Sequence, residues 1–260
     1  MRAASLVVAA ALVAGAGCGD EGVTWRIPCG GTGQYSDEPA VSETYRFEGD
    51  DAGHVTLEER TRGDVITLVT SRYEGSVRVE HTYDDGALSY QETATIAGGR
   101  KHVVTRTGNQ AEHRFVETWA WEGDRPAGWV RDYENQADQE GVFGTGGGAL
   151  IENVCMRSDT GTLTACNSLR YTGPYERWTV RVRDDNSDGT PEGVELRTFD
   201  DHGLELSWER RYGGADGRET LSLDVRTERE GDGSAIRTLA TTYQPGFERT
   251  HTLVYSYACE

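Results

Sequence analysis

Val77-Arg-Val-Glu-His-Thr-Tyr83 alternates with a period of two: Val77, Val79, His81 and Tyr83 fall on one side, and Arg78, Glu80 and Thr82 on the other. Successive side chains of an extended chain point to opposite faces, so this stretch reads as a β-strand with one apolar and one solvated face. Trp178 to Arg183 repeats the pattern, with Trp178, Val180 and Val182 set against Thr179, Arg181 and Arg183. Runs of this kind recur outward along the chain and are broken by Gly, Asp and Asn clusters, at the spacing of successive antiparallel hairpins. No stretch sustains a helical period. The expected fold is all-β, an antiparallel hairpin meander forming a large sheet, a partly closed barrel or a propeller-like array. An outer-membrane barrel is set aside, because its strands need an unbroken lipid-facing apolar band and charges interrupt these strands too often.

Turns that follow an aromatic residue line up as Tyr83-Asp-Asp-Gly86, Trp121-Glu-Gly-Asp124, Phe199-Asp-Asp-His-Gly203 and a looser Phe47-Glu-Gly-Asp50. The first, second and loose copies recur at roughly 37 residues, a length that suggests stacked hairpins or propeller blades. Over 81–92 and 197–218 these turns resemble the YD repeats of bacterial Rhs-type proteins. That resemblance implies a hairpin array and no activity. Gly144-Thr-Gly-Gly-Gly148 lacks the Gly-Lys-Ser/Thr ending of a phosphate cradle and reads as a loop.

The 260 residues hold 44 acidic and 26 basic side chains, a formal net charge of -18. Phosphate binding needs a basic surface, so nucleic acid is excluded as a partner. Cations or basic partners suit the balance better, and scattered acid also keeps a β surface soluble.

The chain opens with Met1-Arg2 and an apolar run from Ala3 to Ala16 interrupted by Ser5, then reaches Gly15-Ala16-Gly17-Cys18. A charged start, a short apolar segment and small residues before a cleavage point are the parts of an export signal. The run is too short to span a bilayer, which takes about 20 apolar residues. Small residues before a cysteine resemble the lipobox of bacterial lipoproteins, which implies that Cys18 receives a lipid and becomes the mature N-terminus. Ordinary cleavage near Ala14-Gly15-Ala16 is the alternative. The expected organisation is a signal peptide over 1–17, a lipid anchor and short tether over 18–24, and a single β domain over 25–260. The expected location is the bacterial cell envelope, on the periplasmic side or at the cell surface.

With Cys18 set aside, Cys29, Cys155, Cys166 and Cys259 form an even set suited to an oxidising compartment. A two-residue turn at Thr160-Gly161 would set Cys155 directly opposite Cys166 on a hairpin. Cys29 with Cys259 would then fasten the first strand beside the last. No cysteine pair has the close spacing of a zinc site. His54, His81, His102, His113, His202 and His251 are scattered and read as ordinary surface or half-buried residues.

Asp184-Asp-Asn186-Ser-Asp188-Gly189-Thr-Pro-Glu192-Gly-Val-Glu195 places oxygen-bearing side chains at alternate positions and a glycine at the sharp turn. This is the arrangement by which a loop gathers hard oxygens around calcium. Strands on either side exclude an EF-hand. The loop resembles the calcium loops of FG-GAP repeats, which implies Asp184, Asn186, Asp188 and Glu192 as side-chain ligands, with the Thr190 carbonyl and Glu195 as further oxygens. The alternative is a polar turn that binds nothing.

His113, Phe115, Glu117, Trp119 and Trp121 share one strand face, and the next strand brings Trp129, Arg131 and Tyr133 alongside. Aromatics mixed with Glu and Arg suit a saccharide or peptide, and equally suit core filling. The functional expectation is a noncatalytic envelope lipoprotein whose β scaffold, with calcium as a candidate stabiliser, presents a surface to an envelope protein or glycan. The alternative is a secreted carbohydrate-active enzyme using paired carboxylates. No G-x-S-x-G or H-E-x-x-H motif is present.

Overall fold

A computed structural model describes residues 26–258 apart from Ser76, 158–161, Asp188, 201–203, 214–218 and Pro245. The leader, Cys18 and the tether lie outside the described residues. The first strands are β1 (Gly30–Tyr35), β2 (Ser42–Gly49), β3 (Val55–Arg62), β4 (Val65–Glu74), β5 (Val77–Asp84) and β6 (Ser89–Ala97). Next come β7 (Arg100–Gly108), β8 (Phe115–Glu122), β9 (Arg125–Tyr133), β10 (Asp138–Gly146), β11 (Ala149–Arg157) and β12 (Leu163–Thr172). The last are β13 (Val180–Asp184), β14 (Gly193–Phe199), β15 (Glu205–Gly213), β16 (Glu219–Arg229), β17 (Ala235–Gln244) and β18 (Phe247–Ser256).

Each strand pairs antiparallel with its neighbours in the chain, and β1 pairs with β18, from Gly30 opposite Ser256 to Tyr35 opposite His251. The meander therefore closes into an 18-stranded barrel. Of the expected architectures the barrel is the one formed, and its closure is complete. Tight turns make the meander possible: Gly98 and Gly99 join β6 to β7 with φ of 58° and 75°, the left-handed pair that a two-residue hairpin turn requires. The aromatic turn motifs sit at hairpin ends, after β2, β5 and β8. They fall on opposite ends of the barrel and do not mark repeating blades. The copy that begins at Phe199 runs into residues outside the described ones.

Register assigns the faces. Gly33 lies opposite both Glu43 and Leu253, and Gly31 opposite Tyr45 and Tyr255. These partners are buried, so their face is the inner one. Tyr45, Phe47, Ala235, Leu253 and Tyr255 form a cluster there, with Ile27, Val55 and Tyr257 packed against it. Elsewhere the inner wall is polar, and Thr67, Glu117, Glu152, Glu195 and Thr238 are all buried.

Here the expectation for Trp178 to Arg183 is reversed. Arg181 stands opposite Tyr171 and Glu195, both buried. It points inward and leaves Val180 and Val182 outside. A closed sheet of this size is wide enough for an aqueous interior, so the polar side of a strand need not be its outer side. Arg106 and Arg131, opposite buried Phe115 and Glu117, also face inward. Part of the charge that interrupts the strands is therefore interior. The outer face still carries charge within strands, as in Arg46 with Glu59 and Arg226 with Asp224, where an arginine at a bilayer midplane costs about 2–4 kcal/mol.

Because strand direction alternates, connections fall on two rims, and these differ. One rim receives the approach to β1, the end of β18 and the connections after even-numbered strands up to β16. Pro28, His54, Trp178, Leu204 and Ser234 are buried there. On the other rim no described connecting residue is buried. We call the first, where both ends of the described chain lie, the filled end, and the second, whose described connections carry no buried residue, the open end.

Cys155 and Cys166 form the expected disulfide, with Cα atoms 4.0 Å apart. They are not a direct ladder pair. Val154 opposes Asn167 and Met156 opposes Thr164, so the register slips between them, and Ala165 takes the left-handed φ of 46° that this bulge needs. The turn at Thr160-Gly161 lies outside the described residues, as does Cys259. Cys29 is disulfide-bonded, and its N–H donates to the Ser256 carbonyl at 2.9 Å.

Candidate interior binding wall

The interior is lined by glutamates whose oxygens are taken by arginine guanidiniums, indole N–H groups and phenol hydroxyls. Arg131 Nε donates to Glu117 Oε2 at 2.7 Å and Trp119 Nε1 to Glu117 Oε1 at 2.6 Å. The Arg131 guanidinium lies 4.6 Å from the Phe115 ring centre and donates to the Tyr133 hydroxyl at 3.1 Å. Trp129 Nε1 donates to Glu152 at 2.7 Å, and the Tyr171 hydroxyl holds the other Glu152 oxygen. Trp129 can lie flat on the wall because Gly141 faces it: a Cβ there would meet Trp129 Nε1 at 2.2 Å. Glu195 accepts from Arg181 Nη2 at 2.7 Å and Trp208 Nε1 at 3.0 Å. The ion pairs Glu92–Arg106, Glu117–Arg131 and Arg181–Glu195 each span a separation of 14 residues, the length of one hairpin. That spacing was a legible signal that sequence reading missed.

The expected surface residues Glu117, Trp119, Trp121, Trp129, Arg131 and Tyr133 all face this wall. Trp129 is buried, whereas Trp119 and Trp121 are half-buried and stack at 5.9 Å. The connection after β12 folds inward as a single 3-10 turn, Tyr175–Arg177. Tyr175 meets Phe143 edge-on at 5.2 Å and lies 6.3 Å from Trp119. One loop residue thus gathers rings from β8 and β10 at the filled end.

A second network joins the seam strands. Glu43 is 0% exposed. It accepts from the Tyr45 hydroxyl at 2.7 Å, its Oε2 lies 3.0 Å from His251 Nε2, and Arg62 Nε stands 3.8 Å away. Burial alone would raise the Glu43 carboxyl, but hydrogen bonds from His251 and Tyr45, with the charge of Arg60, hold it below the usual range. Gly33 leaves the room: a Cβ there would lie 2.8 Å from both His251 Nε2 and the Tyr45 ring. His251 is therefore a buried network member and not an ordinary surface residue. His54 is likewise buried, 2.9 Å from Asp50 and stacked on Tyr73. Burial and the Arg78 charge push His81 down to about 4.

Asp184 closes β13 at the open rim, and Asn186, Thr190 and Glu192 follow in the connection to β14. The chain curls around Asp184, whose carboxylate accepts from Asn186 N at 3.3 Å and Gly189 N at 2.8 Å, while Glu192 accepts from Asp185 N at 2.6 Å. Glu195 does not join this loop, because it sits within β14 and faces the interior. Asp188 lies outside the described residues. Among the described residues no group of three or more His, Cys, Asp or Glu side chains is arranged to hold a metal ion.

The class defined by these features is a closed antiparallel barrel with a polar and aromatic interior. No family model matches the chain, and no curated protein matches it. Among solved structures it is similar to a porin-like protein from Bacteroides vulgatus, at 13% identity over 91% of this chain and 100% of that one, with a TM-score of 0.40. A porin-like protein from Bacteroides uniformis is similar at 12% identity over 90% and 98% of the two chains, with a TM-score of 0.41. At that level the likeness assigns no activity.

Proposed function

We propose that this chain is an exported, lipid-anchored β-barrel of the bacterial cell envelope that binds a glycan against its inner wall and performs no chemistry. The saturation of Glu117 and Glu152, the carboxylates beside the half-buried tryptophans, carries this reading. A glycosidase needs one carboxyl holding a transferable proton and a second with a lone pair for the sugar or water. Glu117 and Glu152 are instead each tied by two side-chain partners, as positioning groups for the rings. An anchor at Cys18, a few residues before the described chain begins at the filled rim, would turn the open rim away from the membrane.

The test uses a soluble protein starting at Gly19 and follows tryptophan fluorescence, since Trp119, Trp121, Trp129, Trp178 and Trp208 are wall or rim residues. A saturable change with oligosaccharides that is lost in Trp119→Ala, with the melting temperature kept, is expected. Silence across acidic and neutral oligosaccharides would refute the proposal. For the anchor, Cys18→Ser in the full chain is expected to abolish labelling by radioactive palmitate and release the protein from membranes; unchanged labelling would point to another attachment.

Calcium at the β13–β14 connection is a further part of the proposal, favoured by the way the loop wraps Asp184. Melting in millimolar calcium is expected to exceed melting in magnesium or chelator, because a ligand of the native state stabilises it, and Asp188→Ala is expected to remove the difference. Coincident curves would dismiss the site.

A further inference from the structure

We infer that the saccharide taken by the interior is acidic, a uronate-bearing chain admitted through the open rim; this rests on the glycan reading above. The overall charge of -18 points the other way, and the charge of the inner wall opposes it. Arg181 and Arg210 share one carboxylate, Glu195, at 2.7 and 3.6 Å. Arg60 donates to the Thr67 hydroxyl at 3.3 Å and has no carboxylate within ion-pair reach among the described residues. The strongest opposite charge it feels is that of Glu43, already shared with His251 and Arg62, and its neighbour Glu58 is pushed up to about 7 by burial, so near neutral pH Glu58 adds only part of a charge. Arg229 donates to the carbonyls of Gly233 and Glu205. A guanidinium carries five N–H donors, while Glu117, Glu152 and Glu195 already have their partners. The interior is thus left with donors and positive charge to offer.

At the open end, Arg62 and Arg249 flank the Tyr35 ring at 5.0 and 3.9 Å. Asp37, on the exposed connection after β1, lies 2.8 Å from Arg249, and Glu38 pairs with Arg62. A uronate carboxylate has the same planar fork as these two acids and can replace them on entry. Deeper in, the half-buried Trp119, Trp121 and Tyr175 rings offer apolar faces to pyranose C–H groups. A small inorganic anion would use the arginines and have no use for the rings, so both features together select a charged sugar.

The experiment titrates the soluble protein, by the same fluorescence, with an oligogalacturonate and with a neutral galacto-oligosaccharide of equal length, and repeats both in the presence of inorganic sulfate. The acidic chain is expected to bind at least about tenfold tighter, a difference near 1.4 kcal/mol. Raised salt is expected to narrow that preference. Arg60→Gln and Arg249→Gln, each checked for an unchanged fold by circular dichroism, are expected to weaken the acidic chain and leave the neutral one alone. Equal affinity for the two chains would overturn the acidic assignment and leave the glycan reading standing. Competition by sulfate at the same concentration as the oligosaccharide would reduce the wall to a general anion site and overturn the assignment too. No response to either chain would remove the glycan reading itself.

Discussion

Glu58→Gln is expected to raise the melting temperature at pH 8 and to change it little at pH 5. Glu58 stands on the inner wall between Phe47 and Val69, and burial raises its carboxyl from an ordinary 4.5 to about 7, against the opposing charge of Arg60. A group whose folded pKa lies above its unfolded value binds its proton more tightly in the native state. The stability it contributes is complete below about 4.5 and is lost as pH rises through about 7. At pH 8 the charged form costs the fold up to about 3 kcal/mol, an upper figure because water reaches a barrel interior. Removing the charge should lift the melting temperature by as much as roughly 6–12 °C, at about 2–4 °C per kcal/mol for a domain of this size. Parallel thermal melts of both proteins at the two pH values decide it. If they keep the same offset throughout, Glu58 is not the group that titrates.

Glu43→Ala should have a large effect of the opposite sign. It strips a fully buried carboxylate from the Tyr45 hydroxyl, His251 and Arg62, leaving a guanidinium and an imidazole facing each other without their shared anion. Removing one partner of such a buried network costs about 3–5 kcal/mol. Because the folded carboxyl titrates below its unfolded value, its contribution is present above about 4.5 and is lost as pH falls through the folded pKa. The gap between wild type and Glu43→Ala should therefore close under acid. Urea unfolding at neutral and acid pH measures it, and a neutral-pH loss below about 1 kcal/mol would show that the network does not support the seam.

The strands were legible because residues such as Val77 to Tyr83 state their period locally. Which face looks inward was not. Alternation separates Arg181 from Val182 without telling which side meets the interior, and a barrel with a polar inner wall removes the usual rule that charge faces out. The Glu117 to Tyr133 set was legible because one hairpin holds it. Its partners Phe143, Glu152 and Tyr171 come from three later strands, and Tyr175 from a loop, so no spacing near Trp119 announces them. His251 and Glu43, separated by 208 positions, meet only because the barrel closes. Glu195 suited a loop by its distance from Asp184, but β14 begins before it and carries it inward.

The joint between β1 and β18 sets an order of assembly. Every other strand pair is consecutive in the chain, so those hairpins can form as the polypeptide emerges, each closing a short loop. Only this joint waits for the last strand. Until Phe247 to Ser256 arrives, β1 and β17 present unpaired backbone edges, which recruit strands from other molecules. A chain cut before Phe247 would retain nearly all of the hairpins and both sticky borders, and its fate would be polymers. The final strand is what makes the molecule a self-limited particle.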